Sequence, residues 1–268
     1  GWLPVVRGVS LSVHRGETTA LVGESGCGKS VTALSIMRLL PPTAEIRGGS
    51  IRVDGVEMRA LSPARLREWR GRKVAYVFQE PGSALNPVLR VGDQVAESAR
   101  RSGVGSDVRA AVREALAATG LVDPDRVAAA YPHQLSGGMQ QRAMLAMALA
   151  GRPEVLIADE PTTALDVSVQ AQILKLLREL QDRFNLAILL ITHNLGVVAQ
   201  VADRVGVMYA GQIVEQGAVD RVLSRPGHPY TAALLAAVPA MRGVRTRLAA
   251  IAGQVPGPDR LPPGCAFE

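Results

Sequence analysis

Apolar and polar residues alternate along parts of the chain in the way that is typical of strands. Segment 5–23 alternates on both sides of the turn sequence HRGE, which predicts a β-hairpin. Segment 48–58 predicts a second strand-turn-strand unit, with Asp54-Gly55 as its turn. Three short apolar runs each predict one strand: 73–80, 154–160 and 186–194.

Apolar residues at helical spacing fill the segments between these strands. Segment 29–40 predicts a helix that two prolines then stop. From about 90 to 150 an Ala- and Arg-rich stretch keeps this spacing and predicts a helical insert. Segment 167–184 predicts an amphipathic helix, and 196–217 a helix followed by two strands. Because strands and helices alternate, we predict an α/β fold with a mostly parallel sheet covered by helices.

Composition and charge limit the kind of protein and its partners, and the predicted strands and helices stay the same. Apolar residues make up 47% of the 268 residues and charged residues 20%, as in ordinary soluble globular proteins. The net charge of +6 comes almost entirely from arginine, and a basic balance can indicate nucleic acid or an anionic membrane surface as a partner. Because the arginines are scattered among acidic residues, we interpret them as solvated faces and expect no nucleic acid partner.

Cysteines and apolar runs indicate the cellular compartment. Cys27 and Cys265 are the only cysteines, which is no disulfide framework and suits a reducing cytosol. No apolar run approaches the roughly 18 residues that a membrane-spanning helix needs. The sequence also shows no signal peptide, so we expect a protein that works on the cytosolic side.

The sequence GESGCGKS, residues 23–30, matches the phosphate-loop pattern G-x-x-x-x-G-K-S without a gap. Its glycines let backbone N–H groups approach phosphate oxygens with no Cβ in the way. Lys29 can reach the β- and γ-phosphates, and the Ser30 hydroxyl can bind Mg²⁺. The strand pattern before the loop and the helix pattern after it favour a nucleotide site over a glycine-rich turn. We interpret Cys27 as a small packing residue, not as a nucleophile.

The run VLIADE, residues 155–160, is a predicted buried strand that ends in two acids. Burying unpaired charge is costly, so the two carboxylates require a reason. Metal and nucleotide chemistry supplies one, with Asp159 holding Mg²⁺ and Glu160 polarising an attacking water. Taken alone, the pair could equally be solvated loop acids; together with a phosphate loop it indicates a nucleotide hydrolase.

Two polar residues at other strand ends are weaker candidates. Gln79 follows the strand VAYVF and could sense a γ-phosphate or a water through its amide, although a surface glutamine is the simpler interpretation. His193 follows AILLIT and could donate a hydrogen bond to a γ-phosphate, although a lone histidine is usually structural. Active-site groups collect at the carboxyl ends of parallel strands, which favours the functional interpretation of both residues.

The stretch LSGGMQQR, residues 135–142, has the features of a helix start with an exposed backbone. Ser136 can cap the helix, and Gly137 and Gly138 leave the first N–H groups accessible, as in anion sites. An ordinary capped helix is the alternative. The order of motifs decides between them: phosphate loop, Gln79, LSGGMQQR, VLIADE, ALD (164–166) and His193.

That set, in that order, resembles the ATP-binding cassette (ABC) ATPases over nearly the whole chain. The resemblance implies a P-loop NTPase fold with a RecA-like α/β core, an antiparallel β subdomain and a helical subdomain that carries the LSGG signature. It implies a nucleotide-binding domain at 1–238, with the helical subdomain at about 85–150. A Pro- and Gly-rich extension, 239–268, would follow it.

The resemblance also implies a head-to-tail dimer that sandwiches ATP between the phosphate loop of one cassette and the signature of the other. In one chain the nucleotide would be bound by Gly23, Glu24, Ser25, Gly26, Cys27, Gly28, Lys29, Ser30 and Val31. Mg²⁺ would be held by Ser30, Gln79 and Asp159, and the catalytic residues would be Glu160, His193 and Gln79. The partner's nucleotide would be bound by Ser136, Gly137 and Gly138, with Asp166 communicating between cassettes. Trp2 is the candidate for stacking on adenine.

Longer stretches resemble the ATPase subunits of oligopeptide and dipeptide importers, with nickel importers close by. They are FQEPGSALNPVLRVGDQVAE, YPHQLSGGMQQR, DEPTTALDVSVQAQIL, ADRVGVMYAGQIVEQG and PGHPYTAALLAAVP. The tail PGPDRLPPGCAF resembles the extension that in some members continues into an iron–sulfur cluster. A cluster needs about four thiolates, so we expect one only if the natural chain continues past Cys265 with more cysteines. Asn194 stands where the family usually has Asp, and we expect this difference to have little effect on the function of the site.

These resemblances imply an ATPase that powers import at the cytoplasmic face of the cell membrane. Its partners would be a second ATPase subunit (a copy or a paralogue), two membrane permeases and an extracytoplasmic substrate-binding protein. Nickel or another small solute is the alternative cargo. A soluble ABC ATPase acting on DNA or ribosomes is a further alternative, but it would carry a coiled coil or a duplicated cassette. A non-catalytic module would lack Glu160 or Lys29, and both are present.

Overall fold

The main sheet of the computed structural model, which describes residues 2–103, 107–163, 165–237, 251 and 253–267, is mixed and mostly parallel. Within these residues six strands form it: β1 (Thr18–Val22), β4 (Val74–Val77), β5 (Val155–Asp159), β6 (Ala187–Thr192), β7 (Arg204–Tyr209) and β8 (Gln212–Ala218). The strand order is β4-β5-β6-β1-β7-β8, and only β8 runs antiparallel to its neighbour. A separate antiparallel pair joins β2 (Arg52–Val53) to β3 (Val56–Glu57). The predicted turn at Asp54-Gly55 lies between them with both residues at positive φ.

Helices surround this sheet. The first part of the chain contributes α1 (Lys29–Met37), α2 (Pro63–Trp69), α3 (Pro81–Ala84), α4 (Val91–Arg101), α5 (Val108–Ala118), α6 (Pro124–Ala129) and α7 (Gly137–Leu149). The second part contributes α8 (Val167–Phe184), α9 (Leu195–Val201), α10 (Val219–Ser224) and α11 (Pro229–Ala236). The α/β class and the mostly parallel sheet predicted from the sequence are therefore confirmed.

The helical insert has an apolar core of its own. Its centre is formed by fully buried side chains of α4, α5 and α7, among them Val91, Val95, Leu116 and Ala143. A larger core lies between α7, α8 and strands β4 to β6. The sequence of α7 serves both cores: most of its residues between Gln141 and Leu149 are buried, so this helix ties the insert to the sheet.

The predicted hairpin over 5–23 is wrong. Only its second half is a strand, β1, and residues 5–13 are in no helix or strand. The reason is that both edges of β1 are already paired in parallel with β6 and β7, which leaves no free edge for a third partner. The apolar residues of the first half instead pack their side chains into the core beside Leu21.

Two boundaries also differ from the sequence prediction. Helix α1 ends at Met37 because Arg38 adopts the left-handed conformation (φ 50°) that caps the helix, several residues before the prolines. In the C-terminal segment, residue 251 and residues 253–267 form no helix or strand, and the predicted boundary at 238/239 lies outside the described residues. No helix in the part of the chain described here is long and apolar enough to cross a membrane.

Candidate functional site

The loop between β1 and α1 has the backbone of a phosphate cradle. Gly26 and Gly28 have positive φ (82° and 106°), and Gly28 is the N-cap of α1. A Cβ on Gly23 would lie 2.2 Å from the carbonyl oxygen of Met208, so only glycine fits there. The loop thus requires glycine for conformation at two positions and for close packing at a third.

Lys29, the first residue of α1, points its ammonium into the loop. The side chain is 5% exposed, and Nζ donates hydrogen bonds to the carbonyl oxygens of Gly23 and Glu24, each at 2.8 Å. This geometry fixes a positive charge at the loop that precedes the N-terminus of α1. Such an arrangement attracts a polyphosphate.

A cavity of about 620 Å³ lies over this loop. The phosphate loop lines it with every residue from 23 to 31 except Cys27. The rest of the lining comes from distant segments: Val5, Gln79, Glu160, Thr163, His193 and Leu234. The structure therefore brings all three predicted catalytic side chains to the predicted phosphate loop.

Asp159, at the end of β5, is buried beneath the start of α1. The Ser30 hydroxyl donates to one carboxylate oxygen at 3.2 Å, and the Tyr76 hydroxyl donates to the other at 2.7 Å. Burial, together with this hydrogen bond, raises the pKa of Tyr76, so its hydroxyl keeps the proton that it donates. Hydroxyl and carboxylate oxygens are ligands that Mg²⁺ prefers. Ser30 lines the cavity and bonds Asp159 behind it, and this pair fits that ion.

Glu160 follows in a strained backbone conformation with its side chain in the cavity wall. Its φ is 46°, in the left-handed region, and its N–H is bonded to the carbonyl of Ile191 at 2.9 Å. The strain costs on the order of 1–3 kcal/mol and is the kind that functional sites retain.

Three neighbours hold that carboxylate. Thr163 Oγ1 donates to it at 2.7 Å, Gln79 Nε2 donates at 3.2 Å, and His193 Nδ1 lies 3.1 Å away. Burial alone would raise the pKa of Glu160, but the hydrogen bonds from Thr163 and His193 outweigh it, and the pKa lies below its ordinary value of 4.5. Glu160 is therefore an ionised carboxylate at neutral pH, able to accept a proton from water.

The signature residues lie elsewhere. Ser136 caps α7, with its hydroxyl accepting from the N–H of Met139 at 3.4 Å, while Gly137 and Gly138 form the first turn. A Cβ on Gly138 would lie 3.0 Å from a methyl group of Val169, which places this turn against the start of α8. Ser136, Gly137 and Gly138 are all described, and none of them lines the cavity.

Asp166, the predicted communication residue, is exposed at the N-terminus of α8. Its carboxylate accepts from the Ser168 hydroxyl at 2.6 Å and from the N–H of Val169 at 2.9 Å, and these bonds hold its pKa below the ordinary value. It therefore lies beside the signature turn, on the same side of the molecule. Ala164 of the ALD motif lies outside the described residues.

Trp2 and Cys27 are placed differently from the other predicted binding residues. Trp2 is 55% exposed, carries the guanidinium of Arg47 at 4.6 Å from its ring centroid, and does not line the cavity. Cys27 is buried, and that burial raises the pKa of its thiol, so it packs the loop as the sequence suggested. Its thiol lies in the apolar cluster beneath the loop, not in the cavity.

Sequence reasoning missed four residues of the site, one of which is Val5 in the cavity lining. Tyr76 and Thr163 bond the two strand-end acids, and Leu234 of α11 adds an apolar side chain to the cavity wall. Tyr76 gave one usable signal, a polar aromatic in an otherwise apolar strand, because a buried tyrosine hydroxyl needs a partner. The roles of Thr163 and Leu234 depend on tertiary contacts that no local pattern encodes.

Comparison with known proteins identifies the family of the chain. Residues 6–163 match the family model described as ABC transporter, and residues 214–268 match the model described as oligopeptide/dipeptide transporter, C-terminal region. The dipeptide transport ATP-binding protein DppD of Bacillus subtilis (strain 168) is 49% identical over 270 residues, covering 100% of this chain and 81% of the relative. The oligopeptide transport ATP-binding protein AppD of the same strain is 47% identical over 268 residues, covering 99% and 82%.

Solved structures agree with the fold. One, an ATP-binding cassette described as dimeric and bound to ADP and Pi in a post-hydrolysis state, superposes with a TM-score of 0.70. It is 29% identical and covers 80% of this chain and 90% of that chain. The fold, the phosphate loop and the two family matches agree, and the chain therefore belongs to the ABC transporter family and carries the C-terminal region of its oligopeptide/dipeptide transporters.

Proposed function

We propose that this chain is the ATP-binding and ATP-hydrolysing subunit of an ABC importer for oligopeptides or dipeptides. The observation that carries the proposal is the cavity with Lys29 on one side and an ionised Glu160 on the other. Transfer of a phosphoryl group to water requires both groups: a fixed cation at the phosphates and a base near the γ-phosphate. The cargo follows from the relatives, which are named as dipeptide and oligopeptide transport proteins.

Binding begins at the phosphate loop. Backbone N–H groups of residues 25–30 would surround the β- and γ-phosphates, and the Lys29 ammonium, held at the loop by the carbonyl groups of Gly23 and Glu24, would donate to phosphate oxygens. Ser30 and Asp159 would hold Mg²⁺, with Gln79 at the cavity edge, and that ion would neutralise charge that develops on the phosphate oxygens.

Hydrolysis uses the carboxylate of Glu160. A water oxygen forms a bond to the γ-phosphorus while the bond from that phosphorus to the β–γ bridging oxygen breaks, which releases ADP. The water gives one proton to Glu160, whose carboxylate is ionised at neutral pH. Thr163, Gln79 and His193 fix the carboxylate in place, and Gln79 and His193 also line the cavity where the γ-phosphate would lie.

A second cassette completes each site. The signature residues Ser136, Gly137 and Gly138 lie outside the cavity of their own chain, so they are available to the nucleotide of a partner. The dimeric form of the related cassette supports a pair of cassettes, which the resemblance implies to be head-to-tail. Asp166, beside the signature turn, would lie at the junction between the cassettes. The resemblance offers Trp2 for stacking on adenine, but in this chain Trp2 lies outside the cavity, with the guanidinium of Arg47 over its ring.

The membrane subunits would contact the loop that follows Gln79. Large apolar side chains are exposed on both sides of this loop in the sequence: Phe78 (44%) before Gln79, and Val88 (76%) and Leu89 (42%) after it. Exposed apolar groups can mark interaction surfaces, and a helix of a permease is the fitting partner. The chain would thus act at the cytoplasmic face of the membrane, with two permeases and an extracytoplasmic binding protein delivering the cargo.

Peptide uptake by cells tests the proposed cargo. In cells that lack the gene, uptake of a labelled oligopeptide or dipeptide should fall to background, and the wild-type chain should restore it while Lys29→Ala does not. Lys175→Ala, which changes an exposed lysine of α8, is the matched control and should restore uptake. Unchanged peptide uptake in the deletion strain, with nickel uptake lost instead, would assign the same ATPase to the alternative cargo.

A further inference from the structure

Tyr230, in the C-terminal part of the chain, makes a direct bond to the phosphate loop. The residue lies in the first turn of α11 and is fully buried. Its hydroxyl oxygen accepts a hydrogen bond from the backbone N–H of Glu24 at 3.0 Å. Burial raises the pKa of Tyr230, so the hydroxyl is neutral and remains a good acceptor. Nothing in the proposed hydrolysis uses this contact.

The bonded N–H belongs to the peptide group that also holds Lys29. The Gly23–Glu24 peptide carries the carbonyl of Gly23 on one side and the N–H of Glu24 on the other. That carbonyl accepts from Lys29 Nζ at 2.8 Å, while the N–H donates to Tyr230. One planar peptide, which is rigid because of its partial double bond, therefore joins Tyr230 to the lysine that faces the phosphates.

Packing fixes the position of this peptide but not its rotation. The Cα of Gly23 lies so close to the carbonyl of Met208 on β7 that a Cβ would approach it within 2.2 Å. The peptide can still rotate about its flanking bonds, and the bond to Tyr230 opposes that rotation. Without it, the Gly23 carbonyl would no longer be fixed toward Lys29.

An aromatic cluster holds the Tyr230 ring. The rings of Tyr209 and Tyr230 lie 4.4 Å apart, and Phe267 packs edge-on against both, with centroids 5.4 Å and 5.2 Å away. Aromatic contacts of this kind add stability beyond that from the burial of apolar surface. Phe267 lies in the C-terminal tail, residues 253–267, and packs against the same apolar core as Tyr230, so the tail supports the ring.

The start of α11 is held separately. The Glu215 carboxylate of β8 accepts the N–H of Gly227 at 2.7 Å and the N–H of His228 at 3.1 Å. The His228 ring in turn accepts from the N–H of Tyr230 at 3.1 Å. These bonds fix the backbone of α11, and the same helix supplies Leu234 to the cavity wall.

We propose that Tyr230 is a positioning residue of the nucleotide site, and that it makes ATP binding depend on the seating of the C-terminal tail. It acts through the Gly23–Glu24 peptide on Lys29 and does not touch the nucleotide. The inference rests on the proposed ATP site and deepens it, because it adds the C-terminal region to the groups that set its affinity.

Tyr230→Phe removes the hydroxyl and keeps the ring, so it isolates the bond to the loop. ATP affinity and ATPase kinetics of the full chain should show KM and Kd for ATP raised about three- to tenfold, the range for one neutral hydrogen bond. The turnover number should change less than KM, because Glu160 and its neighbours are untouched. Tyr209→Phe is the matched control: it removes a hydroxyl from the same cluster that makes no bond to the phosphate loop in the described structure, and KM should stay as in the wild type.

Phe267→Ala tests the dependence on the tail. It should raise KM for ATP in the same direction as Tyr230→Phe, and the double variant should raise it no further than the larger single effect, because both act on one bond. If KM for Tyr230→Phe equals that for Tyr209→Phe while the wild type hydrolyses ATP, the positioning role is wrong and the proposed ATPase function stands. A wild-type KM in Phe267→Ala would overturn the dependence on the tail. A wild-type chain that binds no ATP would overturn the proposed function together with this inference.

Discussion

Replacing Glu160 with glutamine is expected to lower ATP turnover by a factor of about 10²–10⁴ and to leave ATP binding intact. Glutamine has nearly the same shape and can still bond Thr163 and His193, so the cavity wall keeps its form. It cannot accept a proton from water at neutral pH, because an amide is not a base in that range. With hydrolysis blocked, the ATP-bound dimer should accumulate.

Steady-state ATPase rates, nucleotide binding by calorimetry and dimer formation by light scattering check this expectation. Glu179→Gln is the matched control, since Glu179 is exposed on α8 and pairs only with Lys175 at 3.7 Å among the residues described. Exposed pairs of this kind contribute little, so its turnover should stay at the wild-type value. If Glu160→Gln hydrolyses ATP at the wild-type rate, Glu160 is not the base.

Lys29→Ala is expected to weaken ATP binding by a factor on the order of 10² or more. The ammonium is buried and already held at the loop by two carbonyl groups, so its positive charge and a charge-assisted hydrogen bond are available to the phosphates. Each such bond contributes about 1.5–3 kcal/mol, and about 1.4 kcal/mol corresponds to a tenfold change in affinity. The variant should therefore lose turnover through loss of binding, in contrast to Glu160→Gln.

Calorimetric titration with ATP measures this effect directly. Lys175→Ala removes the same type of side chain from an exposed position, 79% accessible, and should bind ATP as the wild type does. Thermal unfolding of both variants separates loss of binding from loss of folding. Wild-type affinity in a folded Lys29→Ala chain would show that the phosphates bind elsewhere.

Much of the fold could be predicted from the sequence because its strongest patterns are local. The helix 167–184 agrees with α8 to the residue, and the runs at 154–160 and 186–194 contain β5 and β6. The hairpin at 5–23 failed for a non-local reason. Its alternation is that of a strand, but β1 is central in the sheet, and alternation does not reveal which neighbours occupy a strand's edges.

Some residues of the site could be predicted from local sequence patterns, and others could not. The phosphate loop is a continuous motif, and strand-end positions indicated Asp159, Glu160, Gln79 and His193, which the structure brings to one place. Thr163, Leu234 and Tyr230 are absent from that prediction. Their contacts span different elements of the fold, and nothing in the residues beside them distinguishes them from ordinary packing positions.

The central claim is that each ATP site is shared between two chains, with Lys29 from one and Ser136 from the other. Its strongest support in the structure is that Ser136 lies outside the cavity that contains Lys29. Ser136 is exposed, so replacing it with arginine should leave the fold intact at the cost of one helix cap, about 1 kcal/mol. The arginine should nevertheless block a partner's nucleotide.

The most direct measurement is the ATPase rate of a mixed dimer purified through two different tags, one on Lys29→Ala and one on Ser136→Arg. Each variant alone should be inactive, since every site in its dimer lacks one essential group. In the mixed dimer one site lacks both groups and the other has an intact Lys29 and an intact Ser136, so turnover should return. A mixed dimer that forms but stays inactive, or a Ser136→Arg chain that hydrolyses ATP alone as the wild type does, would contradict the shared site.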